Sequence, residues 1–515
     1  MEVWFIVLVS LCLCITIRSF CNILSFSRST PLPPGPPRIP IITNLLFLRR
    51  SILEIESVLR DLRSKYGPIF TLPVASRPLI YVADQSIAHQ ALVQNGAVFS
   101  DRPEAVFASK VFSCDQHDIN SAFYGPTWRA LRRNLTSEML HPTRIKSFSG
   151  SRKWVVDILI NRLKSDSESG NPIKLIDHLQ YAMFCLLAFM CFGQKLDEKQ
   201  MKEIEDVQRR VVMSFNRFRV LDFWPRITRI LFHKLWQEMF QTKKERESLF
   251  IPLIRARKKA IEERLNRANE DNHSSDKLAM PYVDSLLELE WPLEKRRLEE
   301  SEIVSICSEF LSAGIDTTAT TMHWIMANLV KYPYIQERLV EEIRDVIGDR
   351  EEKQVREDDL NKLSYLKAVI LEGLRRHPPT HFVIPHAVTE DVVLNGFLIP
   401  KSGTINFLVA EMGRDPKVWE NPMEFKPERF LNGKNNYEAF DITGSKEIKM
   451  MPFGAGRRIC PAYNLATFHL EYFVANLVWN VEWKVSDDGD VDLSEKQEFT
   501  VVMKNPLQVH ASPRF

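Results

Sequence analysis

The stretch MPFGAGRRIC, residues 451–460, decides the fold, because it combines two glycines, two arginines and a single cysteine. A helical pattern begins near Ala462, so Cys460 lies immediately before a predicted helix N-terminus. The free N–H groups and partial positive charge at such an end favour thiolate over thiol. Gly454 and Gly456 let the backbone fold tightly around the sulfur. The pattern therefore predicts a loop that holds the sulfur against a partner; the alternative is an ordinary buried free cysteine.

Composition excludes several broad classes of function. The chain has 515 residues, 45% hydrophobic and 26% charged, which is enough for a large core. Its net charge of +2 gives no overall field that would attract nucleic acid. Eight cysteines are scattered without a CxxC pair, so neither a zinc site nor a disulfide framework is supported. The function must come from local sites.

The N-terminal region predicts attachment to a membrane. Residues 3–17 are almost wholly apolar, and extended through Leu24 the segment reaches the roughly 20 residues that span a bilayer as a helix. A cleaved signal peptide is the alternative, but such a peptide typically begins with a positively charged region, and the second residue here is Glu2. Residues 25–40 are rich in proline and predict a stiff hinge. We therefore expect an anchor (1–24), a proline-rich hinge (25–40) and one catalytic domain (41–515) that faces the cytosol.

The body of the chain predicts a mainly α fold with minor β structure. Helical patterns cover residues 299–331, 361–376 and 462–483. Residues 70–82 and 391–409 read as short strands, the latter joined by hairpin-type turns at 395–396 and 401–403. These signals indicate a single large domain behind the anchor.

The cysteine loop resembles the haem-thiolate signature of the cytochrome P-450 family through Phe453, Gly456, Arg458 and Cys460. The resemblance implies that Cys460 is the ligand of the iron of haem b (iron protoporphyrin IX), and that its thiolate favours O–O cleavage. It also implies that Phe453 packs near the sulfur and that Arg458 pairs with a haem propionate. Ala462 stands where the family usually has glycine, which puts close packing of the helix on the haem in question.

Asp316 and Thr317 place an acid beside an alcohol in the long helical segment 299–331. A threonine can bond back to the preceding turn and open the helical ladder there. Satisfaction of local backbone groups in a buried helix is the alternative reading. The resemblance implies that both residues are catalytic and manage proton delivery during dioxygen activation.

Glu372 and Arg375 are three residues apart, which puts their charges on one helix face. A surface salt bridge worth roughly 0–1 kcal/mol is the ordinary outcome. The resemblance instead implies a buried structural pair, joined by Arg429, that braces the haem-binding core.

Trp128 and Arg132 lie four residues apart on a predicted helix. They can face a haem edge, where arginine neutralises a propionate. The alternative is one aromatic anchor with a solvent-facing basic stripe. By the resemblance, His386 would meet the second propionate.

These motifs follow the family order, and residues 453–479 further resemble plant family 89. The resemblance implies an endoplasmic-reticulum membrane protein that receives electrons from NADPH through NADPH–cytochrome P-450 reductase. It would insert one oxygen atom into a hydrophobic plant metabolite and would have no nucleic-acid partner. Two alternatives stay open: a haem-thiolate isomerase or dehydratase that needs no reductase, and a non-catalytic haem-binding protein. The Asp316–Thr317 pair favours the monooxygenase, since isomerases and dehydratases of this family tend to lose it.

Overall fold

The computed structural model describes residues 31–37, 52–74, 77–168, 170–222, 225–270, 279–348, 350, 354–432, 437, 439–486 and 489–515. The predicted anchor at 1–24 and most of the predicted hinge at 25–40 lie outside these residues.

The described residues form sixteen α helices joined by short loops and 3₁₀ turns. In chain order they are α1 (Ile52–Tyr66), α2 (Gln85–His89), α3 (Phe107–Phe112), α4 (Pro126–Glu138), α5 (Pro142–Ser147), α6 (Ser149–Glu168), α7 (Leu175–Phe192), α8 (Glu198–Arg217), α9 (Pro225–Leu231), α10 (His233–Glu270), α11 (Tyr282–Glu288), α12 (Glu300–Lys331), α13 (Pro333–Ile347), α14 (Ser364–Arg376), α15 (Val409–Gly413) and α16 (Tyr463–Asn480).

Ten short strands complete the described part of the chain. They are β1 (Ile69–Val74), β2 (Arg77–Val82), β3 (Ile173–Lys174), β4 (Val392–Leu394), β5 (Phe397–Ile399), β6 (Thr404–Phe407), β7 (Val481–Val485), β8 (Glu495–Gln497), β9 (Val501–Met503) and β10 (Gln508–Pro513). The sheet orders are β1-β2-β6, β3-β10-β7, β4-β5 and β8-β9.

α12 is the central helix, and it packs against α7, α10, α14 and α16. A capping box between Glu299 and Glu302 starts it, and the chain turns away before Pro333. Every residue from Thr318 to Val330 is buried, as expected of a helix that is enclosed on all sides. The predicted helix over 299–331 therefore coincides with the core of the molecule.

α7 is the one described helix that is long and apolar enough to cross a membrane. Most of it is buried within the protein, packed against α12 and α6, which is the environment of a core helix. The predicted anchor is a different segment, outside the described residues.

Two of the predicted strand regions form antiparallel pairs. β1 and β2 pair antiparallel, with Ile69 opposite Val82. β4 and β5 pair antiparallel around Asn395 and Gly396, whose φ values of 49° and 80° suit a turn that needs two left-handed residues.

The hairpin-type link predicted at 401–403 is wrong. β6 does not return to β5 but pairs parallel with β2, with Leu79 opposite Thr404. This position buries Ile405 and Phe407 in the core beside β2. Burial of these two side chains explains why the chain leaves one sheet for another.

The helix predicted over 462–483 ends earlier, at Asn480. The chain continues as β7, in which Val481 and Trp483 are buried and paired with β10. Tertiary pairing of a β-branched and an aromatic residue prevails over continuation of the helix here.

Candidate functional site

The Cys460 loop is a tight turn closed by its own backbone. The N–H of Cys460 donates to the carbonyl of Phe453 at 2.9 Å. Gly454 and Gly456 have φ values of 70° and 71°, in the left-handed region that glycine occupies without strain. A Cβ on Gly456 would lie 1.9 Å from the carbonyl oxygen of Leu92, so the backbone approaches where only glycine fits.

The sulfur of Cys460 lies in surroundings that suit a metal ligand. Burial raises the pKa of the Cys460 thiol, while the N–H of Ala462 and the nearby Arg132 guanidinium act in the opposite direction. A bound iron cation would favour the thiolate strongly enough to overcome burial, since a coordinating thiol is deprotonated outright. The donor therefore fits the haem iron that the sequence predicts.

Trp128 is buried beside two guanidinium groups. Those of Arg458 and Arg132 lie 4.4 and 5.9 Å from its ring centroid. Within the described part of the chain, its indole N–H has no hydrogen-bond partner. A buried donor without a partner calls for a missing acceptor, and a haem propionate is one. The structure thus brings three of the predicted cofactor-binding residues together.

Arg458 is held by backbone carbonyls rather than by a carboxylate. Its Nε donates to the carbonyl of Ser100 and its Nη2 to that of Ala122, both at 2.7 Å. Burial lowers the pKa of Arg458 to about 10. All three hydrogen bonds of this guanidinium among the described residues go to backbone carbonyls, so it has no carboxylate hydrogen-bond partner there. A buried cation without a paired anion is costly, so an anionic ligand fits here.

Arg102 belongs to the same group, although sequence reasoning missed it. Its Nε donates to the carbonyl of Asn120 at 2.7 Å and its Nη1 to that of Ile384 at 2.9 Å. Burial and the charge of Arg458 lower the pKa of Arg102 to about 9. The only sequence signal was one arginine between Asp101 and Pro103, which does not distinguish a buried residue from an exposed one.

His386 is buried near Arg102 and Arg458, but its ring is already engaged. Nδ1 donates to the carbonyl of Phe99 at 2.7 Å, so in the neutral imidazole Nε2 carries the lone pair. Burial and the two arginines lower the pKa of His386 to about 3. In this form His386 cannot donate to a carboxylate, and its role toward a propionate stays a prediction.

Asp316 and Thr317 lie on α12, which packs against α16, the helix that follows Cys460. The Thr317 hydroxyl donates to the carbonyl of Ala313 at 2.7 Å, the back-bond that its sequence position predicts. The Asp316 carboxylate accepts from Gln180 Nε2 at 3.2 Å. Burial raises the pKa of Asp316, and Gln180 and nearby Arg209 partly oppose this.

A cavity of about 70 Å³ reaches Asp316 between α7, α8, α12 and the β8–β9 turn. Its wall is partly apolar, with Phe184, Ile315 and Phe499, and partly polar, with Gln180 and Arg209. This mixture suits water as well as an apolar molecule next to the acid.

Glu372 and Arg375 form a completely buried ion pair on α14. Arg375 donates to both carboxylate oxygens, at 2.6 and 2.8 Å. Its remaining donors meet the carbonyls of Gly413 and Pro422, both at 2.8 Å. Arg429 Nε adds a longer contact of 3.4 Å to Glu372, so the three residues named from the sequence lie together.

The mainly helical fold, the cysteine loop and the unpaired indole N–H of Trp128 fit the class of haem proteins in which a cysteine is the iron ligand. Residues 33–511 match the model of the cytochrome P450 family, and the chain therefore belongs to that family. Cytochrome P450 89A9 of Arabidopsis thaliana is 52% identical over 513 residues, 97% of each chain, which confirms the predicted similarity to plant family 89.

Strychnine-11-hydroxylase of Strychnos nux-vomica is 31% identical over 99% of this chain and 97% of its own length. A solved zebrafish cytochrome P450 bound to progesterone is 22% identical, with a TM-score of 0.70 over 89% of this chain and 99% of its own, and supports the fold. Membership of the family confirms the predicted fold class, a haem cofactor and monooxygenase activity.

Proposed function

We propose that this monooxygenase acts on a hydrophobic plant metabolite at the endoplasmic-reticulum membrane, with electrons from NADPH delivered by NADPH–cytochrome P-450 reductase. Residues 1–24 form the anchor, 25–40 the hinge and 41–515 the catalytic domain on the cytosolic side. The observation that supports the proposal is the buried group of Trp128, Arg102 and Arg458. The indole N–H has no hydrogen-bond partner among the described residues, and the hydrogen bonds of both guanidinium groups go to backbone carbonyls.

Cys460 is the iron ligand, and Phe453, in the same loop, packs near its sulfur. Trp128, Arg132 and Arg458 hold propionates. His386 remains a predicted haem contact, but its neutral ring would not donate to a propionate. When bound, the cysteine-ligated haem supplies dioxygen activation for insertion of one oxygen atom. The protein contributes binding, orientation and proton supply.

Asp316 exchanges protons with water in the cavity and passes them toward the Thr317 hydroxyl. The raised pKa of Asp316 is closer to neutral pH than that of an ordinary carboxyl group. This suits a side chain that must both gain and lose a proton during turnover. Gln180 holds one carboxylate oxygen, so the acid keeps a defined orientation toward the cavity.

Three exposed arginines near the cysteine loop suit an acidic reductase surface: Arg129, Arg133 and Arg457. Arg129 and Arg457 both lie over the ring of Tyr124, at 5.3 and 5.5 Å, which gathers their charges on one face. Because exposed charges are screened by salt, reductase-supported turnover should fall as ionic strength rises. Turnover that does not depend on salt would contradict this docking face.

Contact with the bilayer is supported by large apolar side chains exposed on α9 and the start of α10. They are Ile227, Ile230, Leu231, Phe232 and Phe240. Ile230 is 77% exposed, and the adjacent exposed Arg226 and Arg229 suit lipid headgroups.

Replacement of Thr317 by alanine tests the catalytic assignment. We expect T317A to consume NADPH with reductase but to release peroxide in place of most product, because the hydroxyl no longer guides protons. Thr321, one turn further on, makes the same back-bond, to the carbonyl of Thr317 at 2.8 Å, but is fully buried. T321A is therefore the matched control and should stay coupled.

Equal coupling in both variants would contradict the role of Thr317. Oxygen consumption that depends on NADPH separates the monooxygenase from the isomerase or dehydratase and from a non-catalytic haem protein. A wild-type protein that consumes no oxygen with reductase and NADPH would overturn the proposal.

A further inference from the structure

A short segment, residues 113–122, lies along α12 and also supports the buried arginines. We call it the strap. Cys114, Asp115 and Gln116 have consecutive φ values of 48°, 60° and 64°. Left-handed backbone is unfavourable for residues with a Cβ, so three in succession need outside contacts to hold them.

Part of that support comes from the first turn of α12. The Cys114 thiol donates to the carbonyl of Ser301 at 3.3 Å. His117 Nδ1 lies 3.4 Å from a carboxylate oxygen of Glu302. These contacts fix the first half of the strap.

In the second half, the N–H groups of Ile119 and Asn120 are both held by one side chain of α12, Glu309. Its Oε2 accepts from the N–H of Ile119 at 2.9 Å and its Oε1 from the N–H of Asn120 at 2.7 Å. Glu309 lies one turn before Ala313, on the same helix as Asp316 and Thr317. The helix of the acid–alcohol pair therefore holds the strap through one carboxylate.

The peptide group between Ile119 and Asn120 connects this carboxylate to Arg458. Its N–H donates to Glu309, and its C=O accepts from Arg458 Nη1 at 3.3 Å. The next carbonyl, that of Asn120, accepts from Arg102 Nε at 2.7 Å. Burial and the neighbouring Asp118 carboxyl raise the pKa of Glu309, but both of its oxygens accept from N–H groups, which is the arrangement of an ionised carboxylate. Hydrogen bonds in series polarise one another, so an anion at the N–H end makes the carbonyl a better acceptor for a guanidinium.

We propose that Glu309 is a positioning residue, whose carboxylate fixes the Ile119–Asn120 peptide and thereby holds Arg458 and Arg102 in place for the haem propionates. This inference rests on the proposed haem-binding role of the arginines. The hydrogen bonds of Glu309 go to backbone N–H groups only, and it acts through the strap.

Two variants and a matched control test the proposal in the full-length protein. E309A removes both acceptors; E309Q keeps one oxygen but turns amide donors toward the other N–H. The control is E300Q, at the start of the same helix, where Glu300 pairs with Arg255 at the surface. Circular dichroism and thermal melting establish whether each variant is folded. If E309A does not fold, the comparison of E309Q with the control tests the proposal.

The first measurement is amide hydrogen exchange of peptides covering residues 117–122, with and without haem. Loss of charge-assisted hydrogen bonds predicts exchange about ten- to a hundredfold faster in E309A, with E309Q intermediate and E300Q unchanged. Exchange should not change in the rest of α12. Equal exchange in E309A and the wild type would overturn the strap contact.

The second measurement separates positioning from general stability. Haem transfer to excess apomyoglobin should be about tenfold faster from E309A than from E300Q, and the propionate bending bands in resonance Raman spectra should shift. Faster exchange in the strap with unchanged haem release and bands would show a purely structural contact and overturn the proposal. A wild-type protein that takes up no haem would instead overturn the proposed function, while exchange without haem would still test the strap.

Discussion

At the scale of single residues, the most demanding feature is the ion pair between Glu372 and Arg375. Neither side chain is accessible to solvent, and every hydrogen bond of the guanidinium goes to the carboxylate or to a backbone carbonyl. Taking two charges out of water is expensive, and good geometry with full hydrogen bonding is what offsets this cost. The pair therefore fixes α14 against the loop that carries Pro422 and Glu424.

Removal of one charge from this pair should be far more damaging than at the surface. We expect E372Q to lose about 3–5 kcal/mol of unfolding free energy, since it leaves Arg375 charged and buried. The control is D177N, because Asp177 pairs with Lys174 at the same spacing of three residues but with 59% of its side chain exposed. That change should cost at most about 1 kcal/mol.

Denaturant unfolding of both variants by fluorescence and by haem absorbance checks the comparison. Similar midpoints for E372Q and D177N would contradict the account of a buried structural pair.

The helical spacing of Glu372 and Arg375 predicted that they would meet, but spacing does not report burial, which depends on segments around residues 413–424. Arg102 shows the same limit, since its partner carbonyls belong to residues 120 and 384. The acid–alcohol pair is a further case: Asp316 and Thr317 could be named from the sequence, but Gln180 could not. A local sequence pattern does not identify contact partners that are far away along the chain.

At the scale of elements, the cysteine loop depends on a close approach of two backbones. Gly456 lies against the turn that contains Leu92, whereas a Cβ on Gly454 would only meet a side-chain carbon of Val383 at 3.8 Å, an ordinary contact distance. Both have nearly the same positive φ. Substitutions at the two glycines can therefore be compared. A side chain at 454 would add backbone strain alone, and one at 456 would add the same strain together with a steric clash.

We expect G454A to cost about 1 kcal/mol, the penalty for a left-handed residue with a Cβ. G456A should lose most of its bound haem, because its Cβ would overlap the Leu92 carbonyl and the loop would have to move. The ratio of haem absorbance to protein absorbance after purification measures this. Equal haem occupancy in the two variants would show that the close approach does not matter for binding.

Elements bounded by strong local signals were predictable, and the others were not. The central helix starts at a capping box and stops before proline, and both signals are local. The parallel pairing of β6 with β2 joins residues over three hundred positions apart, and no turn signal encodes it. For the same reason α16 stops at Asn480, where pairing with β10 takes over.

At the scale of the whole molecule, His323 couples α12 to the C-terminal segment. It is buried, and its Nε2 accepts from the N–H of Leu507 at 3.3 Å, which requires the neutral ring. Burial lowers the pKa of His323 to about 4, against an ordinary value of 6.5. The unfolded chain binds a proton below pH 6.5 that the folded chain does not, so stability contributed by His323 falls as pH drops from 6.5 toward 4.

Lowering the pH from 8 to 5 should reduce the unfolding free energy of the wild type by about 2 kcal/mol through protonation of this one group. H323Q keeps an acceptor oxygen but cannot take up a proton, so its loss over the same range should be smaller by that amount. The exposed His141 provides the control H141Q, which should follow the wild type. Thermal melting at one scan rate across the pH series checks this, and parallel curves for H323Q and wild type would contradict it.

The family and the fold could be predicted from the sequence because the motifs from Trp128 to Cys460 occur in one order and cover most of the chain. The substrate could not, since the cavity beside Asp316 is lined by four separate elements whose distances apart depend on packing. Fold alone does not define a substrate.

The central claim is that the sulfur of Cys460 ligates haem iron, and the absorbance spectrum of the reduced protein under carbon monoxide tests it most directly. We predict the strongly red-shifted Soret band of a thiolate-ligated haem in the wild type and in C185S, a buried cysteine on α7, and loss of that band in C460S. A wild-type spectrum without the red-shifted band, or a C460S spectrum that retains it, would contradict the account.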